Sequence, residues 1–469
     1  MTSDPIQPGP ALLDAAANAV PIRCVSVDGW AAVEAGLPPF QRSFAAATGF
    51  APKAGRVALL PGEDGGLGLV LLGLGEIGQG HRDRFLAGKL PGALPVGDYR
   101  FEPCDALDAG EAALAWLLGS YRFDRYRKPG EPRPRLVAPD GVDAAAVGRV
   151  ARAVAVGRDL VNTPANDLGP AELEAAVRAV GDRFGAKVVV TIGAELAKEF
   201  PLVHAVGAAA PRAPRLIDLT WGAEDAPRVT LVGKGVVFDT GGLDIKPASN
   251  MLLMKKDMGG AAAALAAAEM IMGAGLPVRL RLIVPSVENA IAGNAFRPGD
   301  VILSRAGLTV EIGNTDAEGR LILADALTLA DAEEPDLILD FATLTGAARV
   351  ALGPDLPAFF TEDEALAGAV AEAGERVNDP VWRLPLHPPY ASLLDSKVAD
   401  LNNAPGGGFA GAITAALFLR RFVRRTQAHV HFDLYGWNPS TKPGRPEGGE
   451  VQTARLAHAL VAERYKRNG

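Results

Sequence analysis

The spacing of apolar residues switches along this chain between short runs and a helical period, and the switches divide it. In the first third, "GRVALLPG" (55–62) and "GLGLVLLGLG" (66–75) are compact apolar runs broken by Gly and Pro, and "AGEAALAWLLGSYRF" (109–123) has helical spacing. A polar, proline-rich stretch, "RKPGEPRPR", precedes one last strand-like run, "LVAPDG". The pattern then turns helical through "VDAAAVGRVARAVAVGRDLVN", and Asn162-Thr163-Pro164 marks its end. This predicts a smaller N-terminal α/β domain over 1–140 and a larger domain over 141–469, joined by a linking helix at 141–158.

Downstream, strand-like runs alternate with helical ones. The strands are "RLIDLTW", "RVTLVGKG", "VRLRLIVP", "LTVEIGN", "DLILDFATL" and "HVHFDLYGW"; the helices include "MGGAAAALAAAEMIM" and "GRLILADALTLADA". Strongly apolar strands between helices predict an α/β fold, with a central mixed sheet covered by helices on both faces. In such sheets ligands sit where loops leave the carboxyl ends of strands.

Composition narrows the functional classes. The 469 residues are 48% hydrophobic and 22% charged, the balance of a soluble globular protein long enough for two cores. A net charge of -8 disfavours nucleic acid and anionic membranes as partners. Cys24 and Cys104 are the only cysteines, and they read as two reduced thiols without zinc or redox spacing. The start, "MTSDPIQPGP", lacks a basic segment followed by an apolar run, so a cytoplasmic protein is expected. "GGAAAALAAAEMIMG" falls short of the roughly 18 residues of a membrane span and reads as a buried helix.

The candidate chemistry lies in "GKGVVFDTGGLDIK" at 233–246. Its Asp239-Thr240-Gly241 has the letters of an aspartic-protease loop, but that mechanism needs two carboxylates sharing a proton. The other candidate, Asp395-Ser396, continues into lysine and lacks the glycine. That reading fails on count. The acids and lysines form a different set. Lys234 ends a strand and Asp239 follows in a Gly-flanked loop. Asp257 precedes the alanine-rich helix, and Asp316 and Glu318 lie two apart in an extended loop, which points both carboxylates the same way. Four carboxylates on strand-end loops of one sheet repel unless cations hold them together. Two divalent ions bridged by carboxylates meet that need, and oxygen-rich ligation without histidine points to Mn²⁺, Mg²⁺ or Zn²⁺. Taken singly, each acid reads as an ordinary surface residue; the set does not.

Together, "VGKGVVFDTGGLDIKP…NMLLMKKDMGGAAA" and "NTDAEGRLILADAL" resemble the leucyl aminopeptidase family of two-metal exopeptidases, supported by "RDLVNTPANDLGP" at 158–170 and "DFATLTGA" at 340–347. The resemblance is close over about 150–350, looser to the C-terminus and weak over the first 140 residues. It implies that Lys234, Asp239, Asp257, Asp316 and Glu318 ligate two metals, with Asp239 and Glu318 bridging. It implies that Lys246 stabilises the oxyanion formed when a metal-bridging hydroxide attacks the first peptide bond, and that Arg320 holds a bicarbonate acting as general base. The substrate's free α-amine would bind one metal with help from Asp257. A first-residue pocket is implied near Met254, Thr343 and Gly346, with Leu344 and Asn314 on substrate backbone. The expected activity is hydrolysis of the N-terminal bond of short peptides by a hexameric enzyme.

The family's usual Trp-x-His-x-Asp-Ile-Ala-Gly segment departs here to His429-Val430-His431-Phe432-Asp433-Leu434-Tyr435-Gly436, with tyrosine in place of the small alanine. This bears on side-chain preference and leaves the metal ligands intact. His429 and His431 share a strand face but lack a third ligand, so they read as hydrogen-bonded core residues; His81, His204, His387 and His458 are isolated. Two other readings were weighed. DNA binding, a property of some family members, finds its sole basic cluster in "FLRRFVRR" at 418–425, which reads as a helix C-terminal cap. A catalytically dead scaffold is disfavoured because all seven core polar positions are intact.

Overall fold

The computed structural model describes residues 9–78, 83–128 and 130–466; the first eight residues, His81 and Pro129 of the proline-rich stretch lie outside them. Among the described residues, one compact unit ends at Ala155 and takes in Ser440–Glu447. The other spans Val156–Pro439 and resumes at Gly448. The division falls inside the helix Ala144–Asn162.

The smaller unit is built on five strands: β1 (Val20–Ser26), β2 (Val57–Pro61), β3 (Leu67–Gly75), β4 (Asp98–Phe101) and β5 (Arg135–Leu136). Their order is β2-β3-β1-β4-β5, parallel except for the β2–β3 pair. The helix Ala109–Ser120 places Trp116 among Ile22, Val70, Leu72 and Tyr99, and Asp108 caps it by accepting from the Glu111 N–H at 2.7 Å. The apolar runs at 55–75 are β2 and β3, as their composition predicts, whereas β1 and β4 carry no clean period.

The larger unit has a nine-stranded mixed sheet among the described residues. Its strands are β6 (Lys187–Ile192), β7 (Arg215–Trp221), β8 (Arg228–Gly233), β9 (Gly235–Asp239), β10 (Arg279–Asn289), β13 (Leu337–Ala342), β14 (Ala358–Phe360), β15 (Trp382–Arg383) and β17 (His429–Asp433). The order is β15-β14-β17-β13-β8-β10-β7-β6, and β9 also pairs with β10. Between β10 and β17 in sequence, a separate three-stranded sheet joins β11 (Val301–Leu303), β12 (Thr309–Glu311) and β16 (Leu401–Asn402).

Two expectations are corrected here. Asp239 ends β9, a short continuation of β8 alongside β10 in which Asn289 lies opposite Asp239; it does not sit in a loop. The run "LTVEIGN" supplies β12 of the small sheet, so Asp316 and Glu318 are not delivered by the same sheet as Lys234 and Asp239. Hydropathy reports that a strand is buried and carries no information about its partners. The alanine-rich segment is the helix Gly259–Gly273, buried from Gly259 through Met272. Among the described residues no helix is long and apolar enough to cross a membrane.

The basic cluster at 418–425 is engaged within the unit. Arg420 closes the helix Gly411–Arg420 and pairs with Glu362 at 2.8 Å, and Arg425 pairs with Glu334 at 3.2 Å. The backbone N–H groups of Arg424, Arg425 and Thr426 donate to Asp331.

A buried ion pair fastens the end of the helix Ala144–Asn162 to the strand-end segment at 450. Arg158, 1% exposed, donates to Glu450 through Nε at 3.2 Å and Nη2 at 2.7 Å, and Asn438 Nδ2 adds a bond at 2.9 Å. Burial alone would raise the Glu450 pKa; Arg158 and Asn438 outweigh it and bring it from 4.5 to about 2. The folded value lies below the unfolded one, so this stabilisation is complete above about 4.5 and disappears as pH falls through about 2. Glu450→Ala leaves the guanidinium buried without its counter-charge and should cost ~3–5 kcal/mol. Urea unfolding at pH 7 and pH 3 checks both: the difference between the proteins narrows at the lower pH.

Candidate metal centre

Lys234 falls at the break between β8 and β9, where its backbone N–H donates to Phe341 O at 2.9 Å and its side chain enters the sheet's carboxyl end. Its ammonium lies 2.9 Å from Asp257 Oδ2, 3.0 Å from Glu318 Oε1 and 2.8 Å from Thr343 O. Five residues on, Asp239 Oδ1 accepts from the Gly241 N–H and from Asn289 Nδ2, both at 2.8 Å. The chain then reverses through Gly241 and Gly242, whose φ values of +88° and +66° exclude ordinary side chains. That reversal returns Lys246 Nζ to 2.7 Å from Asp239 Oδ2 and into contact with Asp316 Oδ1.

Asp257 is held at the start of the buried helix, where Thr343 Oγ1 donates toward its carboxylate and its carbonyl, each at 2.9 Å. Asp316 lies in a turn after β12, and Glu318 is the first residue of the helix Glu318–Asp331. The extended loop expected for these two is therefore a turn entering a helix. Their carboxylates still converge: one oxygen each of Asp239, Asp316 and Glu318 lies within 4.8 Å of the others. Gly319 lets this happen, since a Cβ there would stand 2.6 Å from Lys234 Cε.

The electrostatics are those of a cation site. Asp257 Oδ2, Asp316 Oδ1 and Glu318 Oε1 are buried, and each is met only by a lysine ammonium. Burial, then repulsion from Asp239, raises Asp316 to about 6 and holds Glu318 well above its ordinary value; burial likewise raises Asp257. Burial works to lower the Lys234 and Lys246 pKa values, and the surrounding carboxylates outweigh it, so both stay above the usual range. Such a cluster is stable only with positive charge at its centre. The oxygen-rich donor set with open buried lone pairs fits divalent ions of the Mn, Zn or Mg type.

Arg320 is buried in the same helix. Its Nη1 donates to Asn403 O at 2.6 Å, while its Nε has no hydrogen bond. Burial lowers its pKa to about 10, against the pull of Glu318 and Asp433. All twelve positions read from the sequence (Lys234, Asp239, Lys246, Met254, Asp257, Asn314, Asp316, Glu318, Arg320, Thr343, Leu344 and Gly346) line one cavity of about 460 Å³.

Three supporting residues were given no role from the sequence. Asn289 fixes Asp239 from the neighbouring strand. Asn403, fully buried, accepts from the Gly313 and Asn314 N–H groups and donates to Asn314 O, clamping the turn that carries Asp316. Asp433 accepts from the Leu344 and Thr345 N–H groups and from Thr345 Oγ1, which fixes the Thr343–Thr345 segment. Each depends on a partner far away in sequence. His429 and His431 donate to buried Asp340 at 2.7 and 2.6 Å, as core residues rather than ligands.

A lysine-and-carboxylate centre at the carboxyl end of a mixed α/β sheet defines a metal-dependent hydrolase. The catalytic-domain profile of the cytosol aminopeptidase family matches residues 155–461, and the N-terminal-domain profile of the M17 aminopeptidases matches 20–139. A probable cytosol aminopeptidase of Roseiflexus castenholzii is 44% identical over 359 residues, 72% of this chain and 73% of that protein. The crystal structure of the cytosol aminopeptidase of Coxiella burnetii superposes with a TM-score of 0.91 at 46% identity, covering 96% of this chain and 98% of that one. The bottromycin maturation enzyme BotP in complex with Mn follows at a TM-score of 0.86 and 34% identity, covering 96% and 100%. The chain belongs to the cytosol aminopeptidase family, whose members are metal-dependent aminopeptidases.

Proposed function

We propose that this protein removes N-terminal residues from short peptides at a centre of two divalent cations held by Lys234, Asp239, Asp257, Asp316 and Glu318. The observation that carries the reading is the convergence of Asp239, Asp316 and Glu318 within 4.8 Å, with buried carboxylate oxygens met only by lysine ammonium groups. Manganese, zinc or magnesium suits this donor set, and the Mn in the BotP complex supports the first. When bound, the cations supply a nucleophilic water near neutral pH and polarise the scissile carbonyl, and a bicarbonate supplies the general base.

The chain's own residues do the rest. Asp239, which contacts Lys246, and Glu318, which contacts Lys234, would bridge the two cations. Lys234 would join as a ligand by giving up its ammonium proton, which an adjacent dication favours. Lys246 presents a fixed positive charge at the cavity wall, where the oxyanion of the attacked carbonyl develops. Arg320, with its open Nε, would hold the bicarbonate. The substrate's free α-amine would bind one cation with help from Asp257, which would limit cleavage to the first bond. Met254, Thr343 and Gly346 would face the first side chain, and Asn314 and Leu344 the peptide backbone. A hexamer in the cytoplasm completes the reading, on the family resemblance and the relatives' names.

The test uses protein stripped with a chelator and then given Mn²⁺ or Zn²⁺, assayed on an aminoacyl anilide and its N-acetylated form. Activity should return only with metal and only on the free amine. Equal cleavage of the blocked substrate, or full activity without metal, would refute the mechanism.

A further inference from the structure

The tyrosine that departs from the family pattern sits between two cations. Lys256 Nζ lies 4.5 Å from the centroid of the Tyr435 ring, and Arg349 Cζ lies 5.3 Å from it. All three line the metal-centre cavity, beside Met254, Thr343 and Gly346. Lys256 is 6% exposed, yet among the described residues neither it nor Arg349 pairs with a carboxylate. The nearby acids are otherwise engaged: Asp257 faces Lys234 and Thr343, and Asp433 is taken by Leu344 and Thr345. A cation buried to this degree with a ring as its nearest partner is under-compensated, because even a desolvated cation–π contact returns only about 2 kcal/mol against the larger cost of burying a charge.

The Tyr435 N–H and the Gly436 N–H both donate to Gln452 Oε1, at 3.2 and 3.1 Å, so the ring is carried on a fixed backbone in the pocket wall. Gly436 has φ +70°, and a Cβ there would stand 3.1 Å from Thr343 Cγ2; Lys256, Thr343 and Tyr435 all line the same cavity. Arg349 adds a planar, bidentate donor from the exposed side of the helix Gly346–Leu352.

We propose that Lys256, Arg349 and Tyr435 make the first-residue pocket selective for an acidic side chain, so that the preferred substrates are peptides beginning with glutamate or aspartate. The inference rests on the aminopeptidase reading and deepens it. A γ- or β-carboxylate entering between Met254 and Gly346 gives the buried Lys256 a counter-charge and Arg349 a bidentate partner, in a charge-assisted contact of the kind that discriminates strongly between side chains. A lysyl or arginyl first residue meets like charge and is excluded.

The experiment compares kcat/KM for glutamyl, aspartyl, leucyl and lysyl p-nitroanilides with the metal-loaded enzyme, and repeats it with Lys256→Met and Arg349→Gln. The glutamyl substrate should exceed the leucyl one by at least ~10-fold, as charge-assisted bonds imply, and the lysyl one should be the poorest. Each variant should lower the glutamyl-to-leucyl ratio ~10-fold or more, with metal content per subunit unchanged. Free L-glutamate should inhibit at lower concentration than L-leucine, a ranking that does not require turnover of the test ligand. Arg349 is exposed, so Arg349→Gln keeps the test valid where Lys256→Met fails to fold. A leucyl preference in the unaltered enzyme, or variants that leave the ratio unmoved, would overturn the acidic pocket and leave the aminopeptidase reading standing. No hydrolysis of any of the four substrates would overturn both.

Discussion

Glu318→Gln is expected to lower divalent-metal affinity by at least ~100-fold and to abolish turnover with it, while the metal-free protein loses no stability. The size follows from position: disturbing even a supporting partner of a ligand costs 10–100-fold in affinity, and Glu318 reaches the middle of the carboxylate group with an oxygen met only by the Lys234 ammonium. The sign in the metal-free state is the reverse. Burial and Asp239 hold the Glu318 pKa well up, so its charge is a liability until a cation arrives. The amide removes that repulsion, and Lys234 keeps Asp257 and Thr343 O as partners. Asp316 behaves alike: its pKa rises on folding from 3.8 to about 6, so in the metal-free protein its contribution to stability falls as pH rises through that window. Metal analysis after gel filtration, with thermal unfolding in chelator, measures both halves. Retained metal, or a clearly lower melting temperature for the metal-free variant, would refute the assignment.

Lys246→Met should lower kcat ~100–1000-fold, the usual cost of one preorganised oxyanion donor, with little change in KM and metal retained or bound more tightly. Its ammonium contacts Asp239 and Asp316, so in the metal-free protein it competes with a cation for the same carboxylates. Removing it takes away a competitor and a catalytic charge together. Loss of metal in this variant would make Lys246 structural, and a kcat within tenfold of the parent would remove it from the reaction.

Lys234, Asp239, Asp257, Asp316 and Glu318 stood out because lysines and acids bracketed by glycines at strand ends are unusual together, whereas Lys246, Arg320 and the five substrate positions came from the resemblance to the family; all twelve line one cavity. The bulk of the strands and the buried alanine-rich helix were legible for an ordinary reason, since burial leaves a periodic mark. The pairing of β12 was not. Its run "LTVEIGN" is as apolar as a central strand, yet it pairs with β11 and β16. Asn289 and Asn403 were equally hidden, because an amide in a strand or loop says nothing of what it bonds to 50 or 90 residues away; Asp433 stood in the family segment, but its bonds to Leu344 and Thr345 did not show there.

By itself the sequence determined the chemistry: which side chains bear charge, which glycines give them room, and which segments are buried. Only the tertiary structure decided how those charges are balanced. It leaves buried oxygens of Asp257, Asp316 and Glu318 with only lysine ammonium groups against them, and among the described residues it pairs Lys256 and Arg349 with the Tyr435 ring and no carboxylate. Charge is a property of a residue and can be read one position at a time. Compensation is a property of distance in a medium that water has left, and distance exists only after folding.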